Sequence, residues 1–222
     1  MAEGIPQRGF AAPPGATEIL LVRHGASAPA FPDRPFPIVG GQSDPELAPD
    51  GRLQAEALAE RLGAEPISAL FVTPLRRTAE TAAPLAARLE LAPIVIPELA
   101  EVRLGDWEGG EWRIRAANGD PLVARVFAEE RWDVIPNAEP AADFARRVRS
   151  GIERVVEQSG PDVLVAAVAH AAVITELCHQ ATQSRPFAFV TVDNASITRL
   201  IVLPDGRWLL RGFNDVAHLA AV

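Results

Sequence analysis

The sequence predicts an α/β fold: a three-layer α/β/α sandwich around a mostly parallel sheet that ends in an antiparallel edge strand. Three observations predict it. Short apolar runs alternate with amphipathic helical patterns, the rhythm of strands covered by helices on both faces. The first run, Ile19-Leu20-Leu21-Val22, stops abruptly at Arg23-His24-Gly25, as a buried strand does when it delivers polar groups to a sheet's carboxyl edge. The last two runs join through Pro204-Asp205-Gly206, a turn that makes an antiparallel hairpin and hence a sheet edge.

Taken in order, residues 1–16 are rich in Pro, Gly and Ala and lack the charged start and apolar segment of a signal peptide, so they read as a loose tail. Residues 17–222 are expected to form one domain. Strands are expected over 18–22, 69–72, 94–96, 163–169, 196–203 and 208–213. Residues 50–62 read as a helix with Leu53, Ala57, Leu58 and Leu62 on one face, stopped by Gly63. A second helix over 78–89 follows the second strand. A third over 141–158 carries Phe144, Val148, Ile152, Val155 and Val156 at helical spacing, and a fourth over 172–180 follows the strand at 163–169. Two stretches break the rhythm. Residues 29–45 are proline-rich and 101–134 are dense in Trp, Arg and Glu; both read as loops or short helices roofing a site, with 29–45 and 111–137 setting substrate choice.

Composition excludes several function classes. The 222 residues allow one sizeable core. A net charge of −8 without a basic block argues against non-specific binding to nucleic acid or to an anionic membrane. All 21 basic side chains are arginine, which removes a Schiff-base lysine and a P-loop lysine, and leaves the better bidentate clamp for phosphate oxygens. The lone Cys178 rules out an intramolecular disulfide and fits a cytoplasmic location. The longest apolar stretch, 163–174, is interrupted by His170 and too short to span a bilayer.

Four polar clusters follow four consecutive strand candidates. Arg23, His24 and Gly25 follow the first, the glycine letting the backbone approach a ligand closely. Thr73-Pro74-Leu75-Arg76-Arg77-Thr78 follows the second, where a helix start offers free amides to an anion. Glu101, competing with Glu98 and Glu108, follows the third. His170 follows the fourth. A parallel sheet brings all four to one rim. Two imidazoles and at least two guanidiniums there make a pocket for a phosphoryl dianion, with one imidazole free to attack phosphorus and a carboxylic acid to protonate the leaving oxygen.

These pieces, with Gly105-Asp106-Trp107-Glu108-Gly109 and Val168-Ala169-His170, resemble the histidine phosphatase superfamily, the phosphoglycerate-mutase-like proteins, from about Thr17 to the C-terminus. The resemblance implies that His24 is the nucleophile forming a phosphohistidine, that Glu101 is the proton donor, and that Arg23, Arg77 and His170 grip the phosphoryl group. Family spacing selects Arg77 over Arg76, leaving the latter at the surface. The chain departs from the family at Ala26 and Ala30, where Glu or Gln and Asn are common, and at Ala171, where Gly is common.

Ser27 is a further candidate for a phosphate contact. His179 reads as a helix-end surface residue, His218 as a residue that could reach the pocket from the C-terminus, Asn194 as a chain turn, and Trp107, Trp112 and Trp132 as packing. Cys178 reads as core, too far from Arg185 for a cysteine phosphatase loop. No zinc-type histidine spacing, dinucleotide fingerprint or nucleophile elbow is present, so neither metal nor organic cofactor is expected. The expected activity is hydrolysis of a small phosphorylated metabolite. The alternatives are a phosphoglycerate mutase, which the lack of Tyr and Lys disfavours, and a catalytically silent phosphate-binding module. The sequence leaves a homodimer open.

Overall fold

The computed structural model describes residue 7 and residues 9–220. Of the expected N-terminal tail, residues 1–6 and 8 lie outside the described residues; at its inner end the Gly15 amide donates to Asp162 Oδ1 (2.6 Å) and Ala16 is buried.

In chain order, β1 (Thr17–Arg23) is followed by a small hairpin of β2 (Ile38–Val39) and β3 (Gln42–Ser43), then α1 (Pro49–Leu62), β4 (Ile67–Val72), α2 (Arg76–Leu89) and β5 (Ile94–Val95). Two short helices, α3 (Glu111–Ala117) and α4 (Pro121–Glu129), precede the long α5 (Ala141–Ser159), and the chain ends with β6 (Val163–Ala169), α6 (Ala171–Thr182), β7 (Ile197–Val202) and β8 (Trp208–Asp215). Among the described residues, six strands form one sheet in the order β5-β4-β6-β1-β7-β8. The β5-β4-β6-β1 portion is parallel; β7 runs antiparallel to β1, and β8 to β7. Among the described residues, β7 is therefore the one strand of this sheet that runs against the others, and the edge strand β8 points the same way as β1 while pairing antiparallel with β7.

The unbroken apolar run of β1, Ile19 to Val22, has a direct cause. Ile19 and Leu21 point into one layer with Phe71, Val165, Val148 and Ile152, where α5 and α6 pack. Leu20 and Val22 point into the other with Leu70, Val168, Leu58 and Leu85, where α1 and α2 pack. Both faces are dry, so alternation has no reason to appear. Each such side chain contributes about 1.5–3 kcal/mol on burial.

The stripe expected on α1 is corrected. Leu53 is 57% exposed, and the buried face is Gly51, Ala55, Leu58, Ala59 and Leu62. Small residues lead that face because the start of α1 packs backbone to backbone on the segment after β1. A Cβ on Gly51 would sit 1.9 Å from Ala26 O, and one on Gly25 would sit 2.5 Å from Gly51 O. Gly25 thus permits a close approach to the start of α1. The proline-rich segment 29–45 contains a second feature unforeseen in detail: Gly40 and Gly41, at φ of +58° and +82°, make the two-residue turn between β2 and β3.

Candidate active site

The parallel register decides what meets at the sheet's carboxyl edge. Arg23 pairs with Ala169, and the His24 amide continues the ladder by donating to Ala169 O (3.0 Å). His24 and His170, each the residue after its strand, therefore face one another with ring centroids 5.3 Å apart. β4 ends one residue before Thr73, whose Oγ1 lies 3.0 Å from His170 Nε2. The first turn of α2 then places Arg77 beside them.

His24 is held from four sides. Asn194 Nδ2 donates to its carbonyl (2.9 Å), as does the Ala195 amide (3.3 Å). Its Nδ1 lies 2.8 Å from Gly25 O, which only accepts, so Nδ1 carries the ring proton and Nε2 keeps its lone pair. Arg77 Nε donates to that Nε2 (3.2 Å), and Arg77 NH1 donates to Ser43 O (2.8 Å). Burial, reinforced by Arg77 and Arg23, holds the His24 imidazole well below its ordinary pKa. Burial, Arg77 and His24 do the same for His170. Both rings are neutral at pH 7, and His170 Nδ1 is buried without a partner among the described residues.

Glu101 reaches the same cavity from the segment after β5. Its Oε1 accepts from the Val102 amide (3.0 Å) and its Oε2 from the Ala172 amide (3.4 Å) in the first turn of α6. Burial raises its carboxyl pKa, with the Val102 amide and Arg77 opposing. Its backbone is clamped by Arg147, which donates to the carbonyls of Glu98 (2.7 Å), Ala100 (2.8 Å) and Glu101 (3.2 Å) while pairing bidentately with Glu139 (2.8 and 2.7 Å). The Arg23 guanidinium is fixed by donation to Val192 O.

The structure brings five of the six singled-out residues, Arg23, His24, Arg77, Glu101 and His170, to one place. Ser27 differs: its hydroxyl accepts from Arg113 NH2 (2.6 Å) at the rim. Arg76 is exposed and pairs with Glu80 and Glu46. Two of the amides at the start of α2 are engaged within the chain, that of Arg76 by Asp44 Oδ1 (2.7 Å) and that of Leu75 by Thr73 Oγ1 (3.3 Å). Glu98 pairs with Arg154. Glu108 accepts from Ser43 N (2.7 Å) and Leu104 N (2.8 Å), tying the β2–β3 hairpin to the segment after Glu101. His218 Nε2 lies 3.0 Å from Ala195 O, and His179 Nδ1 lies 2.7 Å from Ser184 O; both are away from the cavity lining. Burial pushes the Cys178 thiol up to about 12, as befits a core residue.

The cavity is about 400 Å³. Arg113, unremarked in the sequence, lines it from α3, its NH1 anchored to Ala28 O (2.9 Å) and its guanidinium over Phe36 (5.5 Å). Its partners lie more than 75 residues away, so no local signal announces it. Trp112 packs on both Trp107 and Trp132, and all three rings also line the cavity.

Residues 19–216 match the Histidine phosphatase superfamily (branch 1). A metal-independent phosphoserine phosphatase of Arabidopsis thaliana is 29% identical, over 93% of this chain and 84% of its own length. Among solved structures, a mycobacterial glucosyl-3-phosphoglycerate phosphatase superposes with a TM-score of 0.72 at 29% identity, covering 90% of this chain and 99% of that one. A phosphoglycerate mutase from Bacillus anthracis superposes with a TM-score of 0.77 at 20% identity over 93% and 96% of the two chains, a likeness of fold.

Proposed function

The chain belongs to the histidine phosphatase superfamily, branch 1, and from that premise we propose that it hydrolyses small phosphomonoesters through a phosphohistidine on His24. The observation that carries the reading is the fixed tautomer of His24, neutral and with its Nε2 lone pair directed among guanidiniums in a buried pocket. The Arabidopsis phosphoserine phosphatase and the mycobacterial glucosyl-3-phosphoglycerate phosphatase support a hydrolase acting on a phosphorylated metabolite.

The chemistry runs in two displacements. Arg77 Nε yields its hydrogen bond to His24 Nε2 and turns to the incoming phosphoryl oxygens, with Arg23 and Arg113 supplying further donors. Nε2 then attacks phosphorus, the ester P–O bond breaks, and Glu101 gives its proton to the leaving alcohol oxygen. The raised Glu101 pKa keeps a larger share of that carboxyl protonated for the task. In the second displacement the Glu101 carboxylate takes a proton from water, whose oxygen attacks phosphorus and breaks the P–N bond. Phosphate leaves and His24 Nε2 regains its lone pair. Each well-placed cationic donor is worth about 3 kcal/mol to the transition state.

The test is steady-state phosphate release from p-nitrophenyl phosphate without added metal, expected for the unaltered protein and reduced at least about 10³-fold in His24→Ala. Equal rates overturn the assignment. Interconversion of 2- and 3-phosphoglycerate outpacing phosphate release establishes the mutase reading instead.

A further inference from the structure

We propose that this site selects phosphomonoesters whose alcohol carries a flat apolar group next to the ester oxygen, and that Trp112, Phe127 and Trp132 are the residues that select it. The inference rests on the hydrolase reading and names its substrate class.

The cavity has two unlike halves. Its charged lining is Arg23, His24, Arg77 and Glu101, with Arg113 over the Phe36 ring; its aromatic lining is Phe36, Trp112, Phe127 and Trp132, brought in by the 29–45 segment, α3, α4 and the 3-10 turn Trp132–Val134. The rings brace one another. Trp112 stands edge-on to Trp132 with centroids 5.1 Å apart and an interplanar angle of 70°, and lies 6.4 Å from Phe127. Trp132 and Phe127 in turn rest on Phe187, at 5.3 and 6.1 Å. A wall so braced is ordered before any ligand arrives, which lowers the entropic cost of binding.

Trp112 and Trp132 pack, partly buried, on the small core of Trp107, Val126, Ile135 and Phe187, but that core does not account for the whole wall. Phe127 remains 47% exposed, and α3, which carries Trp112, has no buried residue. Apart from the exposed Thr191, most of the polar side chains interspersed on the wall are already engaged. Ser43 Oγ bonds Glu108 and receives the Gly109 amide, Gln42 donates to Glu101 O, and Asp193 accepts from Asn214 Nδ2. A hydroxyl-rich alcohol would find few of these groups free, whereas a flat apolar one meets ring faces and edges.

The experiment compares 2-phenylethyl phosphate with ethyl phosphate, primary alkyl esters of similar leaving-group basicity. The expected kcat/KM ratio is on the order of 10- to 100-fold in favour of the phenyl ester, expressed mainly in KM. Trp112→Ala brings the ratio to within about threefold of one, while Trp112→Phe, which keeps a ring and guards against a mere folding defect, preserves most of it. A ratio near one in the unaltered protein overturns the inference and leaves the hydrolase reading standing. If neither ester nor p-nitrophenyl phosphate is hydrolysed, the hydrolase reading fails. Calorimetric binding of 2-phenylethylphosphonate against ethylphosphonate then decides the inference alone: a preference of about tenfold or more upholds it, and equal affinity overturns it.

Discussion

Replacing Arg147 by Met removes one side chain that does two jobs. Its guanidinium makes two charged hydrogen bonds to Glu139, whose side chain is only 5% exposed, and three more to the carbonyls of Glu98, Ala100 and Glu101. After the substitution Glu139 stays buried, with the Arg103 amide at 3.3 Å and the exposed Arg103 guanidinium at 4.0 Å as remaining partners. Breaking a buried pair from one side costs about 3–5 kcal/mol, because the surviving charge is left uncompensated. For a chain of this size that lowers the thermal midpoint by about 6–20 °C. Glu139→Gln added to Arg147→Met should recover at least about 1 kcal/mol by removing that charge. Urea unfolding of the four-member cycle measures both terms. Catalysis carries a second signature, because the freed segment holds Glu101: kcat should fall about 10- to 100-fold for alkyl esters and far less for p-nitrophenyl phosphate, whose leaving oxygen needs little protonation. A stability loss under about 1 kcal/mol, or further loss on adding Glu139→Gln, would refute the reasoning.

Three other outcomes are expected. His24 and His170 titrate well below the ordinary 6.5, so below that pH the unfolded chain binds protons that the native state does not. Stability is therefore full above pH 6.5 and declines as pH falls, by up to about 1.4 kcal/mol per unit for each histidine; pH-dependent urea midpoints read this, and a flat profile from 6.5 to 5 contradicts it. The kcat/KM profile should lose activity on its acid limb as His24 protonates and, for alkyl esters, on its alkaline limb as Glu101 ionises, an alkaline limb that should be weak with p-nitrophenyl phosphate because its leaving oxygen needs little protonation. Gly51→Ala forces a methyl group to within 1.9 Å of Ala26 O and should cost about 1–3 kcal/mol in chemical denaturation while displacing the segment that carries His24.

The fold was legible where local sequence and tertiary demand coincide. β1, β4 and β6 are apolar on both faces, end in polar residues, and need no distant information to be recognised. His24, Arg77 and His170 follow such ends, whereas Glu101 lies six residues past the short, exposed β5, and the convergence of strand ends does the rest. Leu53 falls outside the buried stripe because helical periodicity allows more than one stripe, and a backbone contact between Gly51 and Ala26 selects the one that small residues lead. The helix α4 did carry a readable start, Asp120-Pro121, with Asp120 Oδ1 accepting from the Leu122 amide (2.9 Å). Arg113 and the aromatic wall were hidden for another reason: their place in the cavity lining depends on how the segments 29–45 and 101–134 fold over the sheet edge, which no periodicity encodes.

The most direct test of the account is to trap the phosphoenzyme. The unaltered protein is mixed for milliseconds with a ³²P-labelled phosphomonoester, denatured in alkali, and mapped by mass spectrometry. The account predicts acid-labile, alkali-stable phosphate on Nε2 of His24, absent from His24→Ala. The same label on His170, or undiminished label in His24→Ala, would contradict it.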